Sequence, residues 1–282
     1  MYTVFMKVLP LKNPFGAPVY HEEIVSSTFD VARVLAKQAE AHGTVICADF
    51  QEAGRGRLAR PWAADRGKNL LFTILLRYGN TSSMPQALTL RTGLAVSLAV
   101  EDFAPALTGS VKVKWPNDVM ITGGKANTAG KAAGILTESD GNNVFIGVGV
   151  NVGQTEFPAE YRSKAISIAQ AVPGLAEDAR FSLLEIILSR LHEEIENSAD
   201  NASSRNKWLT AACDQTGAAW RERLTERLYK KGETVVFADG AADSKELIEG
   251  KLSGIGSEGE LLIVPNGEEK ERAFITGELR VY

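Results

Sequence analysis

Apolar positions along this chain follow two rhythms, one helical and one strand-like, and their order predicts its architecture. Between residues 30 and 40, Val31, Val34 and Leu35 fall three and four apart, which predicts an amphipathic helix, and residues 44–47 then read as a short buried strand. Residues 69–77 hold the unbroken run Leu-Leu-Phe-Thr-Ile-Leu-Leu, the pattern of a strand covered on both faces. A helix is predicted over residues 85–103, its first turn opened by Pro85. Val111, Val113 and Trp115 then alternate with Lys112 and Lys114, the period of a half-buried strand that ends at Pro116. Residues 133–138 and 144–152 give two more strands, and Gly147 and Gly149 inside the second imply that something lies close against its backbone. Phe181, Leu184, Leu188, Leu191 and Ile195 mark a further amphipathic helix.

Beyond residue 228 the rhythm changes. Short β-like runs at 234–238, 245–252, 261–264 and 273–276 are separated by turn pairs such as Asp239-Gly240 and Asn266-Gly267, which predicts a small barrel. The expected fold is therefore α+β, with a mixed-sheet domain over residues 1–227 and a small β domain over 228–282. The loose segments are residues 122–130 and the polar stretch 197–205.

Composition narrows the class. The 282 residues are 44% hydrophobic and 23% charged with a net charge of -4, a balance that suits a globular protein with a large core and argues against one that coats nucleic acid. The apolar start is broken by Lys7 and Pro10, and no run approaches the roughly 20 apolar residues of a membrane span, so a cytoplasmic protein is expected. Cys47 and Cys213 lie far apart and fit a reducing compartment without structural zinc, and both are expected to be inert; His21, His42 and His192 are scattered, each read as solvated or core.

Against that acidic background, residues 54–77 carry six cations (Arg55, Arg57, Arg60, Arg66, Lys68, Arg77) and one acid, Asp65. Within them, Gly54-Arg55-Gly56-Arg57-Leu58-Ala59-Arg60-Pro61-Trp62 sets three guanidinium groups and an indole around two glycines. Guanidinium forks suit carboxylate and phosphate oxygens, and glycine lets backbone amides approach a ligand, so a bound anion is expected. A solvated surface loop is the alternative. Lys114-Trp115-Pro116-Asn117-Asp118 ends a strand, where α/β folds place ligand groups; it also reads as a turn with the indole in the core and Asn117 or Asp118 bonding its own backbone. Lys131, just before an apolar strand, either reaches over a pocket or guards the strand start. Asn151, in a buried context, must find partners.

Together, GRGRLARPW, KWPNDVMI, GKAAGIL and VFIGVGVNVG, in this order and spacing, resemble the biotin protein ligase family over roughly residues 20–155, and the terminal β region resembles that family's SH3-like domain. The resemblance implies an ATP- and Mg²⁺-dependent enzyme that activates biotin as biotinyl-5′-AMP and transfers it to a lysine of a biotin carboxyl carrier protein. It implies catalytic roles for Lys131 and Arg57. It implies a biotin site formed by Ser27, Thr28, Gln51, Gly54, Arg55, Gly56, Arg57, Lys131 and Gly134, and an ATP site formed by Arg60, Trp62, Asn117, Lys131 and Asn151, with Asn151 also a candidate for contact with Mg²⁺. About 26 residues precede Ser27, too few for a helix-turn-helix unit, so a form without a DNA-binding domain is expected. An exposed sheet edge leaves pairing of two copies open.

This chain departs from the family at Phe29, where Ser-Thr-Asn is usual, and in the longer loop 122–130 with its second lysine, Lys125. Phe29 keeps a lipoate or octanoate ligase in view. A non-catalytic biotin or adenylate sensor is a third reading, against which Arg57 and Lys131 stand. A P-loop enzyme is the weakest reading, since no Gly-x-x-x-x-Gly-Lys-Ser/Thr sequence occurs.

Overall fold

Long apolar runs can be buried on both faces only inside a layered sheet, and such a sheet organises this molecule. The computed structural model describes residues 6–79, 84–123, 129–175, 179–196, 220–240 and 247–280. In chain order come β1 (Lys7–Leu9), β2 (Val19–Val25), α1 (Thr28–Lys37), β3 (Thr44–Gln51), β4 (Leu70–Arg77), α2 (Leu88–Phe103), β5 (Val111–Lys114), β6 (Asp118–Ile121), β7 (Gly130–Ser139), β8 (Asn143–Val150), α3 (Ile168–Ala171) and α4 (Ala179–Ile195). After α5 (Trp220–Glu226) follow β9 (Thr234–Asp239), β10 (Leu247–Ile255), β11 (Leu261–Pro265), β12 (Arg272–Phe274) and β13 (Gly277–Arg280). The large sheet runs β1-β2-β3-β4-β8-β7-β6-β5, with only β2 and β3 parallel. The fold is α+β, as expected.

Side chains alternate across this sheet with period two, so each strand serves two environments. On one face, Leu70, Phe72, Ile74, Ile146, Val148 and Val150 pack against Ala95, Val96 and Ala99 of α2 and Leu184, Ile187 and Leu188 of α4 in a continuous core. On the other face, Phe29, Ala32 and Leu35 of α1 cover Ile46, Leu75 and Phe145. Further along β8 the same face presents Gly147 and Gly149, so α1's apolar cover gives way to bare backbone there.

Several elements differ from the sequence reading. The helix expected from residue 85 begins at Leu88; Pro85 lies outside it, because Ala87 takes a left-handed conformation with φ of 50° and resets the chain direction. The strand expected to end at Pro116 stops at Lys114, and after a turn with a cis Trp115–Pro116 peptide β6 runs back along it, Val111 opposite Ile121 and Lys114 opposite Asp118. Lys114, read as the polar side of a half-buried strand, is only 3% exposed because the turn and the C-terminal sheet enclose it. β1, β2, α3 and α5 have no counterpart in the sequence reading. Lys125, Cys213 and the stretch 197–205 lie outside the described residues.

The C-terminal strands form an antiparallel sheet in the order β12-β11-β10-β9-β13, consistent with an SH3-like domain. The run expected at 273–276 ends early, at Phe274 of β12, and β13, from Gly277, has no counterpart in the sequence reading. This sheet does not stand apart from the large one. Val235, Phe237, Leu252, Leu261, Ile263 and Leu279 share a core with Leu90, Leu94, Val113 and Trp115. Trp115 Nε1 donates to Gly259 O at 3.0 Å, and the backbone of Val113 bonds to Arg227 O and Tyr229 N at 2.9 and 2.8 Å. The boundary expected between 227 and 228 thus falls on a segment laced to the edge of the large sheet.

Candidate active site

The cationic segment folds into a tight hairpin. Trp62 N donates to Gly54 O at 3.0 Å and Gly56 N to Arg60 O at 2.8 Å, while Leu58 and Ala59 make the reversal with φ of 56° and 54°. This geometry leaves the arginine side chains outside the hairpin's own hydrogen bonds. The hairpin leans over the glycine end of the sheet and encloses a cavity of about 540 Å³ with the Trp115–Asp118 turn, a loop carrying Phe157, Tyr161 and Lys164, and β13.

Glycine is required beneath the indole. A Cβ on Gly149 would come within 2.5 Å of the Trp62 ring, and one on Gly134 within 2.8 Å. Trp62 Nε1 is buried without a hydrogen-bond partner among the described residues, an unmet donor against the cavity. Lys131, at the start of β7, places Nζ 5.3 Å from the Trp62 ring centroid and 2.6 Å from Asp118 Oδ1. Asp118 therefore pairs across the strands with Lys131: a register shift between Val119 and Met120 sets Lys131 opposite Met120, on the same face of β6 and β7 as Asp118. Asn151 holds the start of β7 through Nδ2, which donates to Lys131 O at 3.1 Å and Ile166 O at 3.3 Å, leaving Oδ1 as the atom it can offer a ligand.

Asn117 is fixed to β7 by Nδ2 to Ile135 O at 2.9 Å, and its Oδ1 accepts from Arg57 Nη1 at 3.3 Å. Arg60 makes a two-pronged bond with Glu278 of β13, 3.1 Å for each nitrogen–oxygen pair. The Arg60 bond holds the Glu278 carboxyl below its ordinary value, against the opposing effect of burial. Burial pushes the Lys114 ammonium below its usual range, while Asp118 and Glu278 pull it back up.

At the other end of the cavity a network of neutral groups lies beneath Arg55. Ser27 caps α1, its Oγ accepting from Phe29 N at 3.3 Å, which sets Thr28 and Phe29 at the helix start. Gln51 Oε1 accepts from Thr28 N at 2.8 Å and Thr28 Oγ1 at 3.0 Å, and Thr28 Oγ1 lies 2.8 Å from Thr73 Oγ1. Arg55 leans over Phe29 at 5.5 Å from the ring centroid and toward Asp30 and Glu138.

Of the residues expected in the site, Thr28, Gln51, Arg55, Gly56, Arg57, Arg60, Trp62, Asn117, Lys131, Gly134 and Asn151 line this one cavity. Ser27 and Gly54 do not; Ser27 is a buried helix cap, and Gly54 is buried in the hairpin's base, where a Cβ would crowd Gln51. The sequence reading also missed lining groups. Asp118 was read as bonding its own backbone, and its pairing is visible only once β6 and β7 are aligned. Glu278 and Arg280 come from the far end of the chain and carry no local signal. Away from the cavity, the Cys47 thiol is buried and pushed up to about 12, so it stays protonated and inert. Its histidines are less scattered than their spacing implies, since His42 and His192 both pack on Phe15. No cluster of three His, Cys, Asp or Glu suited to a metal exists among the described residues, and no helix there is long and apolar enough to cross a membrane.

The fold is similar to that of a biotin protein ligase from Aquifex aeolicus solved in complex with biotin and ATP. The two align with a TM-score of 0.67 at 26% identity, over 93% of this chain and 97% of that one. Residues 22–153 match the model of the biotin/lipoate A/B protein ligase family. Among curated relatives, the bifunctional ligase/repressor BirA of Bacillus subtilis is 36% identical over 160 residues, 54% of this chain and 46% of that one. A biotin–[acetyl-CoA-carboxylase] ligase of Mycobacterium tuberculosis is 34% identical over 187 residues, 66% of this chain and 65% of that one. The chain thus spans about half of the first relative's length and 65% of the second's.

Proposed function

We propose that this protein is a biotin protein ligase that forms biotinyl-5′-AMP from biotin and ATP and passes the biotinyl group to a lysine of a carboxyl carrier domain. The observation that carries this reading is the polarity of the cavity. Arg57, Arg60 and Lys131 gather around one end, and the neutral Thr28–Gln51 network with glycine and aromatic walls occupies the other. A compact neutral head group with a carboxylate tail and a polyphosphate nucleotide matches that division.

Both reactants of the first step are anions, so the site must offset their repulsion before they meet. In this reading a carboxylate oxygen of biotin attacks the α-phosphorus, the bond to the bridging oxygen breaks, and pyrophosphate leaves. Lys131 exchanges its Asp118 partner for the α-phosphate oxygens, and Arg57 turns from Asn117 to the carboxylate or phosphate. Arg60 leaves Glu278 for the phosphate tail, and Trp62 flanks the nucleotide, its Nε1 meeting an acceptor there. In the second step the carrier lysine's neutral amine attacks the acyl carbon, AMP leaves, and the amine's proton is released. The hairpin shields the mixed anhydride from water between the steps.

Mg²⁺ takes few protein oxygens and travels with nucleotide phosphates. The Asn151 Oδ1 and Asp118 carboxylate fit that donor set on the cavity wall and would hold it; when bound it would supply further charge neutralisation at the phosphates. The same reading takes residues 1–227 as the catalytic domain and 228–282 as the small domain that lends Glu278 to the cavity. It implies a cytoplasmic setting, where carrier, biotin and ATP meet, and needs no DNA.

The test is acid-dependent ATP–pyrophosphate exchange with biotin, lipoate and octanoate at equal concentration, which isolates the first step from the carrier. Exchange with biotin alone is expected. Exchange only with lipoate or octanoate moves the protein to that sister activity, and none with any acid leaves a sensor.

A further inference from the structure

Phe29 occupies the neutral end of the cavity in a way no hydrogen bond explains. Its backbone N–H belongs to the Ser27 cap, while its ring, 4% exposed overall, lines the cavity beside Thr28. The ring rests on bare backbone: a Cβ at Gly147 would lie 2.1 Å from Phe29 Cε2 and 2.7 Å from Cζ. No residue larger than glycine is compatible with this ring position. The phenyl group and the missing side chain at 147 thus form one matched pair that closes the cavity behind the Thr28–Gln51 network.

The geometry points to Phe29 as the specificity-determining residue for the acid substrate, its ring serving as the end wall that accepts a compact ring system and turns away a longer flexible chain. This assignment rests on the ligase reading and deepens it. Aromatic walls favour flat apolar contact, and small volume changes in an apolar pocket translate into 10- to 200-fold selectivity. Removing the ring lengthens the cavity over Gly147 and loses the contact with the bicycle, so the two effects act in the same direction on the choice between acids. The ring also lies beneath the Arg55 guanidinium, which Asp30 and Glu138 hold at 3.5 and 3.8 Å. A role through Arg55 predicts a different pattern and can be separated.

Pyrophosphate exchange is measured with biotin and with octanoate on wild type, Phe29→Ala, Phe29→Leu, Gly147→Ala and the Phe29→Ala/Gly147→Ala double variant, each checked by thermal unfolding. In Phe29→Ala the kcat/KM ratio of biotin to octanoate is expected to fall about tenfold or more, through KM, with kcat for biotin changed less than about twofold. Phe29→Leu, which keeps an apolar group of intermediate size and protects against loss of folding, falls in between. Gly147→Ala alone forces the ring into the cavity and raises KM for biotin. The double variant is no worse than Phe29→Ala, because the new methyl group enters space the ring has left. Glu138→Gln, which loosens Arg55 without touching the ring, leaves the ratio within about twofold.

A ratio unchanged in folded Phe29→Ala or Phe29→Leu overturns the assignment, as does strict additivity in the double variant or a ratio that follows Glu138→Gln. Absence of exchange with any acid in the wild type overturns the ligase reading itself and this assignment with it, so the two failures are distinct.

Discussion

The two faces of the large sheet come from the same strands and do opposite things. Along β8, Val144, Ile146, Val148 and Val150 point into the core under α2 and α4, while Phe145, Gly147 and Gly149 point the other way. The first face is filled to the point where each methylene contributes to stability. The second is filled only as far as Phe145 and then left empty, so that Phe29 and Trp62 can lie directly on backbone. Stability and function are thus assigned to alternate residues of one strand, and a two-residue period is what makes the separation possible.

That contrast is tested most severely at Lys131. Lys131→Ala should lower pyrophosphate exchange by about 10³-fold, the scale of a lost charge-stabilising donor, with no loss of folded protein in a urea titration. A near-normal rate would remove Lys131 from the reaction. On the filled face, Leu188→Ala should cost about 3 kcal/mol in the urea titration and leave KM for both substrates unchanged in the remaining folded protein. An altered KM there would mean the two faces are coupled. Gly149→Ala should show the reverse pattern. A methyl group lifts Trp62, raising KM for ATP about tenfold while the urea midpoint moves little, and Trp62 fluorescence should shift in the same protein.

The smallest effect is expected at the seam with the C-terminal sheet. Glu278's carboxyl is held down in the folded state by its bond to Arg60, so its contribution is present above its ordinary value and is lost as pH falls through the depressed folded value. Since Arg60 is more than half exposed, solvent screening limits that contribution to under about 1 kcal/mol. Glu278→Gln should therefore lower the neutral-pH urea midpoint slightly and make the acid limb below pH 4.5 shallower, a difference that should vanish at lower pH. A variant indistinguishable from wild type at neutral pH would mean the Arg60–Glu278 pair adds nothing to the seam.

Much of this was legible along the chain because it depends on local pattern. The apolar run at β4, the alternation at β5, the helix of α4 and the glycines of β8 are all set by which neighbours a residue has two, three or four positions away. The grouping of Arg57, Lys131, Asn117 and Asn151 in one cavity was implied by a family resemblance and not by any spacing. The N-terminal strands β1 and β2 were missed because Lys7–Leu9 is too short for periodicity, and Val19–Val25 mixes His21, Glu22 and Glu23 into its middle. His21 is held there by Asp49 at 2.7 Å, distant in sequence, and Glu23 lies in solvent.

What the sequence by itself determined is the elements with a clear period, the two-faced strands and the concentration of positive charge around residues 54–62. Tertiary structure alone decided what those charges face. Asp118 meets Lys131 only because the β6–β7 ladder shifts register between Val119 and Met120, Arg60 meets Glu278 across more than two hundred residues, and Lys114 is buried because the turn and the C-terminal sheet close over it. Periodicity is a property of neighbours along the chain, whereas electrostatic pairing and burial depend on distances that exist only after the chain has folded.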